Sequence, residues 1–217
     1  SRPVTFEIVV VDDGSTDNTC RILETGINDN RELKVLVLAR NYGQHQAMLL
    51  GMREAVGEVI FILDSDLEES PAWLLCFWKK LRGAKIRSVH GEYVRTYGPY
   101  WRRKGGELFW RFYNRLSSLD LPISQTMARL MERDFLDAAL ASRRMSGLLA
   151  QIFVSAGKSQ PVIVERFFKG SSSYSIRQKF SMATRQILIS SDEIWWRLTA
   201  ACFSAGAFGC LVTICAA

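Results

Sequence analysis

The stretch Glu58-Val59-Ile60-Phe61-Ile62-Leu63 limits what this chain can fold into more than any other. It is a short apolar run, rich in β-branched and aromatic residues, and reads as a strand covered on both faces. It runs directly into Asp64-Ser65-Asp66-Leu67-Glu68. In open α/β sheets, ligands bind beyond the carboxyl ends of the strands. Asp64, Asp66 and Glu68 alternate, so an extended chain points all three the same way. Same-sided acids repel unless a positive charge lies between them. A hard cation, Mg²⁺ or Mn²⁺, suits carboxylate oxygen and stays bound to substrate phosphates. The alternative is an acidic loop that caps the next helix, with Ser70 as N-cap and Pro71 as first helical residue.

Strands and helices alternate on both sides of this run. Residues 5–11 read as a strand leading into Asp12-Asp13-Gly14-Ser15-Thr16-Asp17, and a helix starts near Asp17. Residues 34–38 form a second strand. Asn41-Tyr42-Gly43 turns the chain into a helix over 44–56. A helix over 71–81 and a strand over 87–93 follow. This order predicts an α/β domain with a doubly wound, mostly parallel sheet flanked by helices. After Tyr93 the pattern predicts a basic aromatic loop over 98–106 and helices over 107–119, 131–141 and 145–156. A strand over 161–167 and an amphipathic stretch over 176–189 complete it.

Charge and cysteines narrow the compartment and the partners. Net charge is +6, and eleven basic residues between Lys79 and Arg115 face only Glu92 and Glu107. Such a block suits phosphates, nucleic acid or an acidic membrane surface. No nucleic-acid motif accompanies it, and aromatics are mixed into it, so nucleic acid is the weakest of these partners. The five cysteines show no C-x-x-C spacing. Cys20 and Cys76 fall in helical patterns and read as buried, reduced thiols. Residues 198–217 carry no charge and are just long enough for a bilayer span of about 20 residues. Trp195, Trp196 and Arg197 precede them, as at a membrane–water interface. The competing reading of 198–217 is a buried core helix. The domain plan is therefore a catalytic domain over 1–167, an amphipathic interface region over 168–197, and a transmembrane segment over 198–217 that is cut short.

The run Val11-Asp12-Asp13-Gly14-Ser15 offers a carboxylate at a strand end, able to accept hydrogen bonds from a nucleobase or ribose. Its alternative is an Asp-rich helix cap. Taken in order with Ala39-Arg40-Asn41-Tyr42-Gly43, Asp64-Ser65-Asp66-Leu67-Glu68-Glu69-Ser70-Pro71, Arg95, Ala128-Arg129-Leu130-Met131 and Gly170-Ser171-Ser172-Ser173-Tyr174-Ser175, it resembles family 2 glycosyltransferases of the GT-A fold. The polyprenyl-phosphate sugar transferases of the dolichol-phosphate mannose synthase type are the nearest in pattern. The resemblance implies an inverting, Mg²⁺- or Mn²⁺-dependent enzyme at the cytoplasmic face of a membrane. It would move a sugar from a UDP- or GDP-sugar to a polyprenyl phosphate.

The resemblance also implies roles by position. Asp12, Asp13, Gly14, Arg40, Asn41 and Asp64 would bind the nucleotide. Asp66 and Glu68 would hold the metal. Asp64, Asp66 and Arg95 would be catalytic, and Arg103, Arg129, Arg177 and Lys179 would bind donor or acceptor phosphates. Arginine suits this because its planar fork binds phosphate in two places. Assembly as a homo-oligomer stays open.

Three departures stand out. The chain opens at Ser1-Arg2-Pro3, so the fold's first strand is expected to be missing. Thr126-Met127-Ala128 stands where relatives often have Gly-Asp-Phe, which removes an acid near the acceptor. Ser173 replaces a usual Lys. A missing base is tolerable if the acceptor is a phosphate. A sugar hydroxyl needs a base, whereas a monoester phosphate with a second pKa of about 6 is largely a dianion at neutral pH. Transfer to a sugar hydroxyl in polysaccharide assembly and a non-catalytic membrane scaffold are the competing functions.

Overall fold

The computed structural model describes residues 5–66, 68–93, 104–108, 111, 114–115, 125–141, 149–165 and 199. Strand β1 (Ile8–Asp12), helix α1 (Thr19–Asp29) and strand β2 (Leu33–Val37) form one parallel unit, with Ile8 opposite Leu33 and Asp12 opposite Val37. Helix α2 (Gln44–Glu54), strand β3 (Val59–Ile62), helix α3 (Trp73–Gly83) and strand β4 (Ser88–Tyr93) follow. Residues 104–108 are helical. Strand β5 (Gln125–Glu132), helix α4 (Arg133–Leu140), helix α5 (Leu149–Ala156) and strand β6 (Gln160–Val164) complete the described elements.

The architecture is α/β as expected, but the sheet is mixed rather than mostly parallel. The larger sheet has the order β3-β5-β4-β6. β5 runs antiparallel to both β3 and β4, and only β4 and β6 are parallel within it. The sequence pattern hid β5 because it lacks an apolar run: Thr126 and Arg129 are buried within it alongside Ala128, Leu130 and Met131. β5 also takes Met131 and Glu132 from the expected helix over 131–141, which starts instead at Arg133.

Alternation along β3 and β5 feeds two cores. Ile60, Ile62 and Met131 face α2, α4 and α5, where Leu49, Leu136 and Ile152 are also buried. Ala128 and Leu130 face α3, where Phe77 and Leu81 are buried with Val89. Phe61 meets the Phe77 ring edge-on, with centroids 5.8 Å apart. Full burial of a side chain such as Phe77 stabilises by roughly 1.5–3 kcal/mol.

Among the described residues no ladder joins β1 to β3. Helix α2 links them instead. A Cβ on Gly51 would lie 3.1 Å from Val11 Cγ2, so the helix sits close on β1, while its Leu49 and Met52 pack with Ile60 and Ile62. Glu7, just before β1, accepts the N–H groups of Val56 and Gly57, just before β3, at 2.6 and 3.0 Å.

The registers put the working edge in one place. Ile62 lies opposite Arg129, Glu92 opposite Gln125, and Tyr93 opposite Val164. The carboxyl ends of β3, β4 and β6 therefore emerge beside the start of β5. Cys20 is half-buried on α1, but Cys76 is exposed on α3, against the expectation of burial. No helix among the described residues is long and apolar enough to cross a membrane. The expected interface region over 168–197 lies outside the described residues, and so does the expected span over 198–217 apart from Thr199.

Candidate active site

At the end of β1 the acids are held by the chain itself. Asp12 is buried. Its carboxylate accepts the Ser15 N–H at 3.2 Å, the Ser15 hydroxyl, and the Cys20 thiol at 2.7 Å. The Cys20 and Ser15 hydrogen bonds hold the Asp12 carboxyl below its ordinary range, and Asp12 in turn pushes the Cys20 thiol up. Asp13 accepts the N–H groups of Tyr42 and Gly43 at 2.7 and 2.9 Å, pinning the turn that starts α2. Gly14 has φ +72°, and a Cβ there would lie 2.5 Å from the Arg40 carbonyl carbon. Its close approach is thus to the β2–α2 turn. Arg40 and Asn41 are exposed on that turn, and the Arg40 guanidinium stacks over the Tyr42 ring at 4.8 Å.

At the end of β3, Asp64 and Asp66 have fewer donors than the acids of β1. Asp64 is half-buried and accepts Gln44 Nε2 at 2.6 Å. Burial pushes its carboxyl up, the Gln44 bond opposes this, and the nearby Asp66 and Glu68 charges add to the rise. Asp66 is exposed and accepts the Glu68 N–H at 2.9 Å. Among the described residues, no Lys, Arg or His lies within 4.0 Å of Asp64 or Asp66. Nor are these acids used as caps. The first turn of α3 contains no acid, and Ser70 Oγ accepts the Ala72 N–H at 3.3 Å. Carboxylates placed so that the Asp66 and Glu68 charges raise the proton affinity of Asp64 fit a hard divalent cation. No three His, Cys, Asp or Glu side chains among the described residues converge on one point, so such a cation would need substrate oxygens to complete its shell.

Glu69 carries a role that the pattern did not reveal. It is 4% exposed. Its Oε2 accepts the Asp64 N–H at 3.1 Å, and its Oε1 accepts the N–H groups of Met127 and Ala128 at 3.0 and 3.1 Å. Burial pushes its carboxyl up, and the Asp64 and Ala128 N–H groups oppose that. Only its place within the acidic stretch could have drawn attention to it, because its two strand partners are some sixty residues away.

Arg129 lies beneath the edge and not on it. It is 3% exposed, its guanidinium sits 4.3 Å over the Phe153 ring, and it donates to Ser88 Oγ at 3.1 Å. Burial pulls its pKa down to about 9. Ser88 continues to Ser159, and Ser159 to His90 Nδ1, at 3.1 and 2.9 Å. His90 Nε2 lies 3.3 Å from Glu92 Oε1. Burial, and then the Arg129 charge, push the His90 pKa down. Arg95, Arg103, Arg177 and Lys179 lie outside the described residues, the structure brings together Asp13, Gly14, Arg40, Asn41 and Asp64 around the start of α2, and the Asp12 carboxylate turns instead to Ser15 and Cys20.

Residues 3–140 match the family model described as Glycosyl transferase family 2. A Mycobacterium tuberculosis protein described as a glycosyltransferase is 30% identical over 188 residues, covering 86% of this chain and 55% of that protein. The undecaprenyl-phosphate 4-deoxy-4-formamido-L-arabinose transferase of Proteus mirabilis is 40% identical over 67 residues, 30% of this chain and 21% of that protein. The chain spans under three fifths of the length of the two curated relatives that match it over most of its own length. In fold it is similar to glucosyl-3-phosphoglycerate synthase from Mycobacterium tuberculosis, solved with Mn²⁺, UDP and phosphoglyceric acid. The TM-score is 0.59 at 16% identity, covering 87% of this chain and 67% of the other.

Proposed function

The chain belongs to glycosyl transferase family 2, and from that premise we propose that it serves an inverting transferase that moves a sugar from a UDP- or GDP-sugar to a polyprenyl phosphate. The observation that carries the acceptor is the 40% identical stretch shared with an undecaprenyl-phosphate transferase. The arrangement of acids supports the same reading. Asp12 and Asp13 are committed to the turns at the ends of β1 and β2, and Glu69 to three backbone amides. Asp64 and Asp66 stand at the β3 end with few donors, and Glu68 follows them, so negative charge gathers there and suits a cation better than proton abstraction.

In this reading Asp66 and Glu68 would hold Mg²⁺ or Mn²⁺, which would neutralise the donor diphosphate and its departing charge, and Asp64 would lie against the ribose and diphosphate. Gln44 keeps the Asp64 carboxylate turned toward the start of α2. The exposed Arg40–Tyr42 pair and Asn41 flank the nucleotide side. Arg95 and Arg103, and further along Arg177 and Lys179, hold the two anionic groups together. Arg129 adds its charge from below. An oxygen of the lipid phosphate dianion forms the new bond to the anomeric carbon as the bond to the diphosphate breaks, and no base is required. The domain works at the cytoplasmic face of a membrane, with residues 168–217 as its anchor.

The test is a transfer assay on the full-length protein. A panel of UDP- and GDP-sugars is offered with polyprenyl phosphate, with and without Mn²⁺. Mn²⁺-dependent formation of a lipid-linked sugar phosphate supports the reading. Transfer to sugar hydroxyls but never to the lipid overturns it.

A further inference from the structure

We propose that Glu69 is the positioning residue of the acidic loop: its buried carboxylate fixes the main chain at Asp64 against the first residues of β5. This rests on the proposed cation site at Asp66 and Glu68, beside Asp64. The β3–β5 ladder stops at Ile62 and Arg129. Beyond that pair β3 turns away into the acidic stretch, and on the other side of β5 the register with β4 shifts between His90 and Glu92, so the N–H groups of Met127 and Ala128 fall where neither ladder is regular. Buried amides left unpaired are rare because each is costly. Glu69 supplies the acceptor from across the loop, with one oxygen on Met127 and Ala128 and the other on Asp64. It replaces a missing ladder rung and ties the loop to the strand through one rigid group.

Two features separate this from ordinary core filling. Glu69 bonds the backbone of Asp64 and leaves the Asp64 side chain to Gln44 and the site. Its other partners, Met127 and Ala128, belong to β5, whose next residue is the buried Arg129. The same carboxylate therefore sets the donor-side acids relative to the strand that carries Arg129. Groups that hold metal-binding carboxylates in place typically change metal affinity 10–100-fold when altered.

Glu69→Gln separates the possibilities. The amide keeps an oxygen for one side of the staple but presents an NH₂ to the other, so one set of N–H groups loses its acceptor. Mn²⁺ uptake is followed by electron paramagnetic resonance on the full-length protein, alone and with UDP or GDP. Hydrogen exchange at Asp64, Met127 and Ala128 and the thermal midpoint are measured in parallel. The expected result is Mn²⁺ affinity at least about tenfold weaker and faster exchange at one or more of those amides, at temperatures where the variant is still folded. Unchanged Mn²⁺ affinity in a folded Glu69→Gln protein overturns the inference and assigns Glu69 to stability alone. If the wild-type protein takes up no Mn²⁺, the cation reading itself fails and this inference with it. Should Glu69→Gln not fold, Glu69→Asp takes its place. It keeps the charge but is one methylene too short for both sides, and it carries the same expected loss and the same overturning result.

Discussion

Two strands of this molecule end in acids, and the acids meet opposite fates. At β1, Asp12 and Asp13 each accept two or three hydrogen bonds from neighbouring N–H, hydroxyl and thiol groups. At β3, Asp64 and Asp66 have few donors and repel each other. Their surroundings differ as well. Between residues 5 and 40 only Asp12 is buried, and Phe6, Ile8, Ile22 and Val37 are at least half exposed. Around β3 two cores close on both faces of the sheet. The difference teaches where each half gets its order. The β3 half is shaped by packing and can hold mutually repelling charges at its rim. The β1 half is shaped by hydrogen bonds at its turns, and its acids contribute to that order.

The largest expected effect tests the packing side. Phe77→Ala should cost about 3–5 kcal/mol, whereas Ile22→Ala, at a position 69% exposed, should stay within about 0.5 kcal/mol. Urea unfolding of both variants checks this, and similar costs would erase the contrast. Next, Asp64→Asn should lower transfer by about 10²–10³-fold while the melting temperature stays level or rises, since a disfavoured charge is removed. A marked loss of stability would place Asp64 with the structural acids. Smaller again, Asp12→Asn should lose about 1–2 kcal/mol in denaturant unfolding, because an amide cannot accept from both Ser15 and Cys20 as a carboxylate does.

The finest distinction is in proton affinity. Asp12 has a depressed folded pKa, so its stabilising contribution is complete above its ordinary value of 3.8 and is lost as pH falls through the folded value. Asp64 has a raised folded pKa, so the native state is relieved of its charge as pH falls through that value. Carboxyl NMR titration should therefore find Asp12 below 3.8 and Asp64 above it; the reverse order would break the comparison.

Much of this was legible in the residues. The apolar run into Asp64 marked the site edge, and Asn41-Tyr42-Gly43 marked the start of α2. What stayed hidden depends on distant partners. β5 pairs on both sides, so Thr126 and Arg129 can be buried in it without an apolar signature. Glu69 looked like one more acid in an acidic stretch until Met127 and Ala128 were brought beside it. The hold of Asp13 on the turn at Tyr42 and Gly43 was hidden because those residues lie some thirty positions away. Gly14 likewise answers to the approach of Arg40, 26 positions later in the chain.

Helix α2 carries a further consequence. It touches the β3 end through Gln44 and the β1 strand through Gly51, with no ladder running beside it. Those two contacts are a matter of angular phase. One residue added between them would turn one contact about 100° away from the other and shift it by about 1.5 Å, whereas four added residues would nearly restore the phase at the cost of about one turn of length. Insertions in this short interval are therefore barred in steps of one or two. The winding of α2 thus works beside the Glu7 bonds to Val56 and Gly57 in keeping the β1 and β3 strands in step.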